Sequence, residues 1–254
     1  MIVKTAAIAL RSVPTANTSR VVTWLTPEHG RVATMIKGAV RPKSFFLGQF
    51  DLFYTCELLY YQRDDRELFF ARECYPNKPR PALRHRWKAC AAASYMADLA
   101  ARITPSHAPQ TFLFHWLDRA LDELDRHDTA PGELFWLELR LLTHLGLTPR
   151  LQWCTGCQAP LRPESGSISF SSTRGGLLCG RCARNDPNPA RPIPPDALAI
   201  LRNWQKAPDM ATARRIKCAP RQLAFMEDLL GQFLRYHLDL PLASRDLAFA
   251  VMKR

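Results

Sequence analysis

The sequence predicts an α+β chain: a small five-stranded barrel at the N-terminus, then a helical domain carrying an inserted four-cysteine finger. Three observations predict it. Short β-rich runs separated by turns fill the first eighty residues, a proline cluster then hands over to helical periodicity, and two Cys-x-x-Cys pairs interrupt the helices.

The strands come first. Ile2 to Leu10, Arg20 to Leu25, Arg31 to Lys37, Asp51 to Gln62 and Glu67 to Arg72 are rich in Val, Ile, Phe, Tyr and Thr. Turn sequences such as Thr26-Pro27-Glu28-His29-Gly30 and Arg63-Asp64-Asp65-Arg66 separate them. Five short strands in this space predict the Greek-key barrel that binds oligonucleotides, the OB-fold, with an SH3-like barrel as the competing topology. The expected barrel domain is 1–79. Three prolines between Tyr75 and Pro81 mark a linker.

The expected helical domain is 80–254. Leu83 to Ile103 is alanine-rich, with apolar residues three and four apart. Thr111 to Arg126 places Phe112, Trp116, Leu117, Ala120, Leu121 and Leu124 on one side, leaving Asp122, Glu123 and Asp125 as an exposed acidic face. Gly132 to Leu145 follows, with Gly146 as its C-terminal cap. Asn185 to Pro195 holds five prolines and can be neither helix nor central strand. Helical patterning resumes at Asp196 to Lys206 and at Arg221 to Leu238, where Phe225, Leu229, Leu230, Phe233, Leu234 and His237 share a face.

The insertion, 150–185, carries the most specific motif. Cys154 and Cys157 form one pair, Cys179 and Cys182 the second, with Ile168-Ser169-Phe170 between them as a short strand. Four thiolates on two tight turns are the donor set of a structural zinc ion. A single pair of this kind could be a redox dithiol; two pairs at this separation favour one zinc per chain. Such a site is coordinatively closed, so its expected role is structural.

Charge points to the partner. The chain has 35 Lys and Arg against 23 Asp and Glu, a net +12. Nucleic acid is the commonest polyanion for such a protein, ahead of mere solubility and of an anionic membrane surface. Two clusters are candidates. Arg31, Lys37, Arg41 and Lys43 lie between Glu28 and Asp51 with no acid among them, and Gly38 offers backbone amides to a phosphate. Phe45, Phe46 and Phe50 follow; they are expected in the core, with base stacking as the alternative. Arg202, Lys206, Arg214, Arg215, Lys217 and Arg221 form the second cluster, opposed only by Asp209. They suit nucleic acid, an acidic partner peptide, or a solvated face. No stretch reaches the roughly eighteen apolar residues of a membrane span. Met1 to Leu10 lacks the features of a signal peptide, so a cytoplasmic, nucleoid-associated location and no membrane partner are expected. No phosphate-loop, nucleophile-elbow or deaminase motif is found, and the chain is expected not to be an enzyme.

The order of these features resembles the RecO family of bacterial recombination mediators. Four stretches carry the likeness. They are Thr26 to Gly30 with Lys37-Gly38-Ala39 and Arg41-Pro42-Lys43-Ser44; Leu137 to Leu142 through Gly146-Leu147-Thr148-Pro149; Phe170 with Gly175-Gly176 before Cys179; and Tyr236-His237-Leu238 with Ser244-Arg245. The resemblance implies binding of single- and double-stranded DNA and annealing of complementary strands. It also implies joint action with RecR, RecF and the C-terminal tail of the single-stranded DNA-binding protein, so that RecA loads on gapped DNA. The second basic cluster is the candidate dock for that acidic tail. A zinc-ribbon and OB-fold RNA-binding or transcription factor is the rival reading.

Overall fold

The computed structural model describes residues 1–15, 17–63, 66–127, 129–162 and 166–253. Asp64 and Asp65, in the turn predicted before the fifth strand, lie outside these. Two compact units divide the chain, Met1–Thr129 and Ala130–Lys253.

The first unit is built on five strands: β1 (Ile2–Pro14), β2 (Arg20–Thr26), β3 (Gly30–Ile36), β4 (Thr55–Tyr61) and β5 (Leu68–Lys78). They close as β1-β2-β3-β5-β4, with β4 paired back onto β1. All pairings are antiparallel except β3 with β5, which register Ala33 to Leu68 and Met35 to Phe70. This crossover gives the OB-like barrel that the strand count predicts. Alternation along β3 sends Val32, Thr34 and Ile36 inward, where they meet Trp24, Leu58 and Tyr60. The indole of Trp24 donates to Thr34 Oγ1 at 2.8 Å, so the barrel's largest buried side chain leaves no polar atom unpaired.

β5 runs into the segment predicted as a linker. Pro76 is accommodated because β4 and β5 shift register beside it, between Thr55 and Cys56, and because β3 pairs with β5 only up to Phe70. The division at 79/80 is therefore one of composition. By packing, the first unit also holds a 3-10 turn (Pro81–Arg84) and the helices α1 (Trp87–Ile103) and α2 (Thr111–Arg126). Five buried alanines on α1 (Ala89, Ala92, Ala93, Ala97, Ala100) let α2 approach closely.

The face of α2 differs from its prediction. Leu113, Phe114, Leu117, Ala120, Leu121 and Leu124 are buried, whereas Phe112 is exposed. Its acids are not a solvated strip. Asp118 and Asp122 hold Lys78 and Arg80, and Asp125 accepts from the backbone N–H groups of Ala82 and Leu83. The helix thus grips the end of β5 and the turn after it.

The second unit centres on α3 (Pro131–His144), packed against α5 (Pro195–Lys206), α6 (Met210–Arg214) and α7 (Pro220–Leu238), with α8 (Ala243–Met252) closing the core. Phe135 stacks on Phe249 and tilts against Trp204. Between α3 and α5 lies the finger: β6 (Ile168–Ser171), β7 (Gly176–Cys179), the single-turn α4 (Gly180–Arg184) and β8 (Arg191–Pro192). The sheet order is β7-β6-β8, so the proline-rich segment contributes only a two-residue edge, where proline is tolerated. His237 at the end of α7 meets the Ser172 carbonyl at 2.8 Å and ties the finger's hairpin to the helix.

Candidate metal centre and nucleic-acid interface

The finger brings its four cysteines together. Backbone hydrogen bonds from Gln158 to the Cys154 carbonyl and from Cys154 to the Ala159 carbonyl fold the first pair into a tight turn. Cys179 caps α4, which carries Cys182 one turn on. A close approach locks the two halves: Arg150 N–H donates to Gly175 O, and Leu177 N–H donates to Arg150 O. A Cβ on Gly176 would lie 2.8 Å from Arg150 N and closer still to its carbonyl oxygen, so only glycine fits.

The sulfurs of Cys154, Cys157, Cys179 and Cys182 all lie within 4.8 Å of one another, with Cys157 and Cys179 at 3.9 Å. A tetrahedral zinc with bonds of about 2.3 Å sets sulfurs roughly 3.8 Å apart, so the cage has the right size. The thiols also conflict with one another. Burial opposes ionisation of Cys154, but backbone N–H groups of Cys157, Cys179 and Gly156 draw it down to about 6. Cys182, hydrogen-bonded to Cys179, is pushed up to about 12. Four thiols this close cannot all ionise unless a cation stands among them, and a divalent metal satisfies that requirement.

The first basic cluster divides. Lys37, Arg41 and Lys43 line one open cleft of about 770 Å³ beside β5, with Phe45, Phe46, Gln49, Arg72, Glu73 and Tyr75. Arg31 is elsewhere. It sits at the opposite end of β3 from Lys37, donates to Ala101 O at 2.9 Å and Ser106 Oγ at 3.3 Å, and so fastens the barrel to the end of α1. Lys37 spreads its ammonium over the Phe70 ring at 4.6 Å. Among the described residues, none of Lys37, Arg41 and Lys43 forms an ion pair. The cleft's one acid, Glu73, already holds Arg72 and the Tyr75 hydroxyl, both at 3.1 Å.

Gly38 serves differently from its predicted role. At φ +63 it makes the turn, its N–H donates to Ser19 Oγ, and its carbonyl accepts from Arg41 N. Its amide is therefore engaged rather than offered to a phosphate. The phenylalanines also divide: Phe46 and Phe50 pack against the barrel core, but Phe45 is 96% exposed. Two adjacent loop residues point in different directions, and the expectation of a core Phe45 fails. Arg72 and Tyr75 are site residues that the sequence reading missed. Strand alternation alone sets residues three apart on opposite faces; the register shift opposite Leu59 and Tyr60, which leaves Arg72 without a partner on β4, is what turns both outward.

The second basic cluster divides four ways. Arg202 donates to Leu151 O at 2.7 Å and Leu161 O at 2.9 Å, clamping the base of the finger. Arg214 pairs with the buried Glu133. Arg221 lies 3.7 Å from Asp196 at the surface. Lys206, Arg215 and Lys217 are exposed, and they form no ion pair among the described residues.

Residues 1–80 match the family described as Recombination protein O N terminal, and residues 84–246 match Recombination protein O C terminal. Similar proteins carry the name DNA repair protein RecO. The one from Anaeromyxobacter sp. strain K is 32% identical over 96% of this chain and 94% of its own length. That of Anaeromyxobacter dehalogenans strain 2CP-C is 33% identical over the same shares. That of Bacillus subtilis strain 168 is 29% identical over 80% of this chain and 76% of its own length.

Proposed function

The chain belongs to the RecO family, and from that premise we propose that it is a DNA repair and recombination mediator that binds single- and double-stranded DNA and anneals complementary strands. With RecR, RecF and the single-stranded DNA-binding protein it promotes RecA loading on gapped DNA. The observation that carries this reading is the cleft lined by Lys37, Arg41 and Lys43, three cations that form no ion pair among the described residues, the cleft's one acid, Glu73, being held by Arg72. Two strands repel through their phosphates. Cations that neutralise those phosphates release condensed counterions and lower the cost of bringing the strands together. The work is electrostatic and needs no bond made or broken, so no catalytic residue is assigned.

Zinc, held by Cys154, Cys157, Cys179 and Cys182, supplies a cross-link between the two halves of the finger. Lys206, Arg215 and Lys217, which Arg202 and Arg214 do not join, are the surface offered to the acidic tail of the single-stranded DNA-binding protein. No helix among the described residues is long and apolar enough to cross a membrane, and the proposed location is the cytoplasm, on the nucleoid. A strand-annealing assay with and without the single-stranded DNA-binding protein, run across salt, tests the reading. Annealing that weakens steeply with salt supports it. Failure to accelerate annealing at any salt overturns it, and a strong preference for structured RNA selects the zinc-ribbon and OB-fold RNA-binding alternative.

A further inference from the structure

Phe45 is the chain's most exposed large aromatic, at 96% of its full accessibility. Nothing in the packing of the barrel requires it there. Its neighbours Phe46 and Phe50 turn inward against the core. The loop that presents it is held by successive turns. Ser44 N–H donates to Arg41 O, Leu47 N–H to Ser44 O and Gln49 N–H to Phe46 O, while Ser44 Oγ accepts from Phe46 N–H. The backbone that carries the outward ring is thus held in a structured loop. Tyr75, 51% exposed, lines the same cleft, its hydroxyl bonded to Glu73.

Around these two rings stand Lys37, Arg41, Lys43 and Arg72. Cations serve any phosphate backbone, single or double. An aromatic face serves only a base that has left its partner, because in a duplex both base faces are covered by stacking. A protein partner of apolar character would be served poorly by a ring framed by Lys37, Arg41 and Lys43, none of which forms an ion pair among the described residues, and by an Arg72 already held by Glu73. A flexible polyanion carrying flat bases satisfies both the rings and the cations.

We propose that Phe45, supported by Tyr75, is a base-stacking platform that makes this cleft select unpaired over paired strands. The proposal rests on the reading of the cleft as a nucleic-acid interface and adds to it the source of discrimination. Its test is the affinity of wild type, Phe45→Ala, Phe45→Trp and a Lys37→Gln/Arg41→Gln/Lys43→Gln variant for three oligonucleotides of equal length at one salt concentration. The three are a single strand, a duplex, and a single strand made of abasic sites.

Stacking on one base predicts that Phe45→Ala loses roughly tenfold on the single strand and less than twofold on the duplex. Phe45→Trp retains the wild-type preference. The abasic strand binds wild type and Phe45→Ala alike. The triple variant loses affinity for all three. Equal losses on single strand and duplex, or no loss on either while the triple variant weakens both, overturn the stacking platform and leave the cationic interface standing. Wild type that binds none of the three overturns both. Phe45 buries nothing, so its variants are expected to unfold at the wild-type denaturant midpoint; a shifted midpoint would itself count against an exposed, non-structural ring.

Discussion

Arg80 reaches Asp118 across the base of the barrel, with its Nη2 2.5 Å from the carboxylate Oδ1 and its own side chain only 2% exposed. The backbone of Arg80 is left-handed at φ 46, which turns the chain sharply after β5 and aims the guanidinium inward. The same fork also donates to Phe53 O, Thr55 Oγ1 and Asp122. One side chain thereby ties β4, the loop before it and α2 to the end of β5. This is why the first two helices belong with the barrel, although composition changes ahead of them.

A buried ion pair with all its donors used is costly to break from one side, because the partner remains buried and charged. Arg80→Ala and Asp118→Ala are each expected to destabilise by about 3–5 kcal/mol, measured as a lower urea midpoint at unchanged m. Acid should act on the same link. Burial raises the Asp118 carboxyl, but hydrogen bonds from Lys78, Thr55 and Arg80 outweigh it, and its pKa lies below the ordinary aspartate value. A depressed carboxylate contributes stability that is complete above the unfolded value of about 3.9 and is lost as pH falls through the folded one. Wild type should therefore lose stability on acidification more steeply than Asp118→Asn. Parallel pH curves for the two would show that Asp118 is not the titrating link.

The four-thiol cage should hold about one zinc per chain, checked by metal analysis of the purified protein. Cys154→Ser and Cys182→Ser should each lose that metal and loosen the finger, read as faster amide exchange over 150–184. Because thiolates are the ligands, zinc should leave as pH falls, and a metal-indicator dye can follow its release. Gly176→Ala should mimic the loss with all cysteines in place, since its Cβ collides with Arg150. Full zinc retention in that variant would disprove the role given to the close approach.

Much of this was legible in the sequence, and the limits have physical causes. The finger was readable because ligand spacing is a local property, and the barrel because alternation is. Arg31 and Lys37 look like members of one cluster, yet six positions along a strand separate them by roughly 20 Å. The acids of α2 read as a solvated face because a helical wheel shows which side is polar but not what comes to meet it. Lys78 and Arg80 arrive from β5, and only the barrel's closure brings them there. Phe45 escaped because adjacent loop residues have no period that says which one turns in.

The salt response of DNA binding should follow the division within the first basic cluster. Each phosphate contact to a single strand adds about 0.7 to the slope of log affinity against log salt. Arg41→Gln with Lys43→Gln should therefore flatten that slope by roughly 1.4. Arg31→Gln should leave it unchanged and instead lower stability, since it abandons the Ala101 carbonyl and Ser106. A slope altered equally by Arg31→Gln would return that residue to the interface.

The second basic cluster makes an opposite pair of demands on neighbouring arginines. Arg214 faces Glu133, whose carboxylate is 1% exposed and also accepts from Ala130 N–H at the start of α3. Removing Arg214 leaves that carboxylate buried with one weak partner. Arg214→Ala should cost about 2 kcal/mol, less than at Arg80 because Arg214 is itself partly in water. Arg215 is the next residue but caps α6 at the surface, with no ion pair among the described residues. Lys206→Gln with Arg215→Gln and Lys217→Gln should leave the unfolding free energy from urea titration within about 0.5 kcal/mol of wild type and weaken binding of an acidic peptide. Titration of a fluorescent acidic peptide against both variants separates the roles. If the triple variant binds as wild type does while Arg214→Ala at equal folded fraction does not, the acidic partner docks through Arg214, and the exposed trio is only a solvated face.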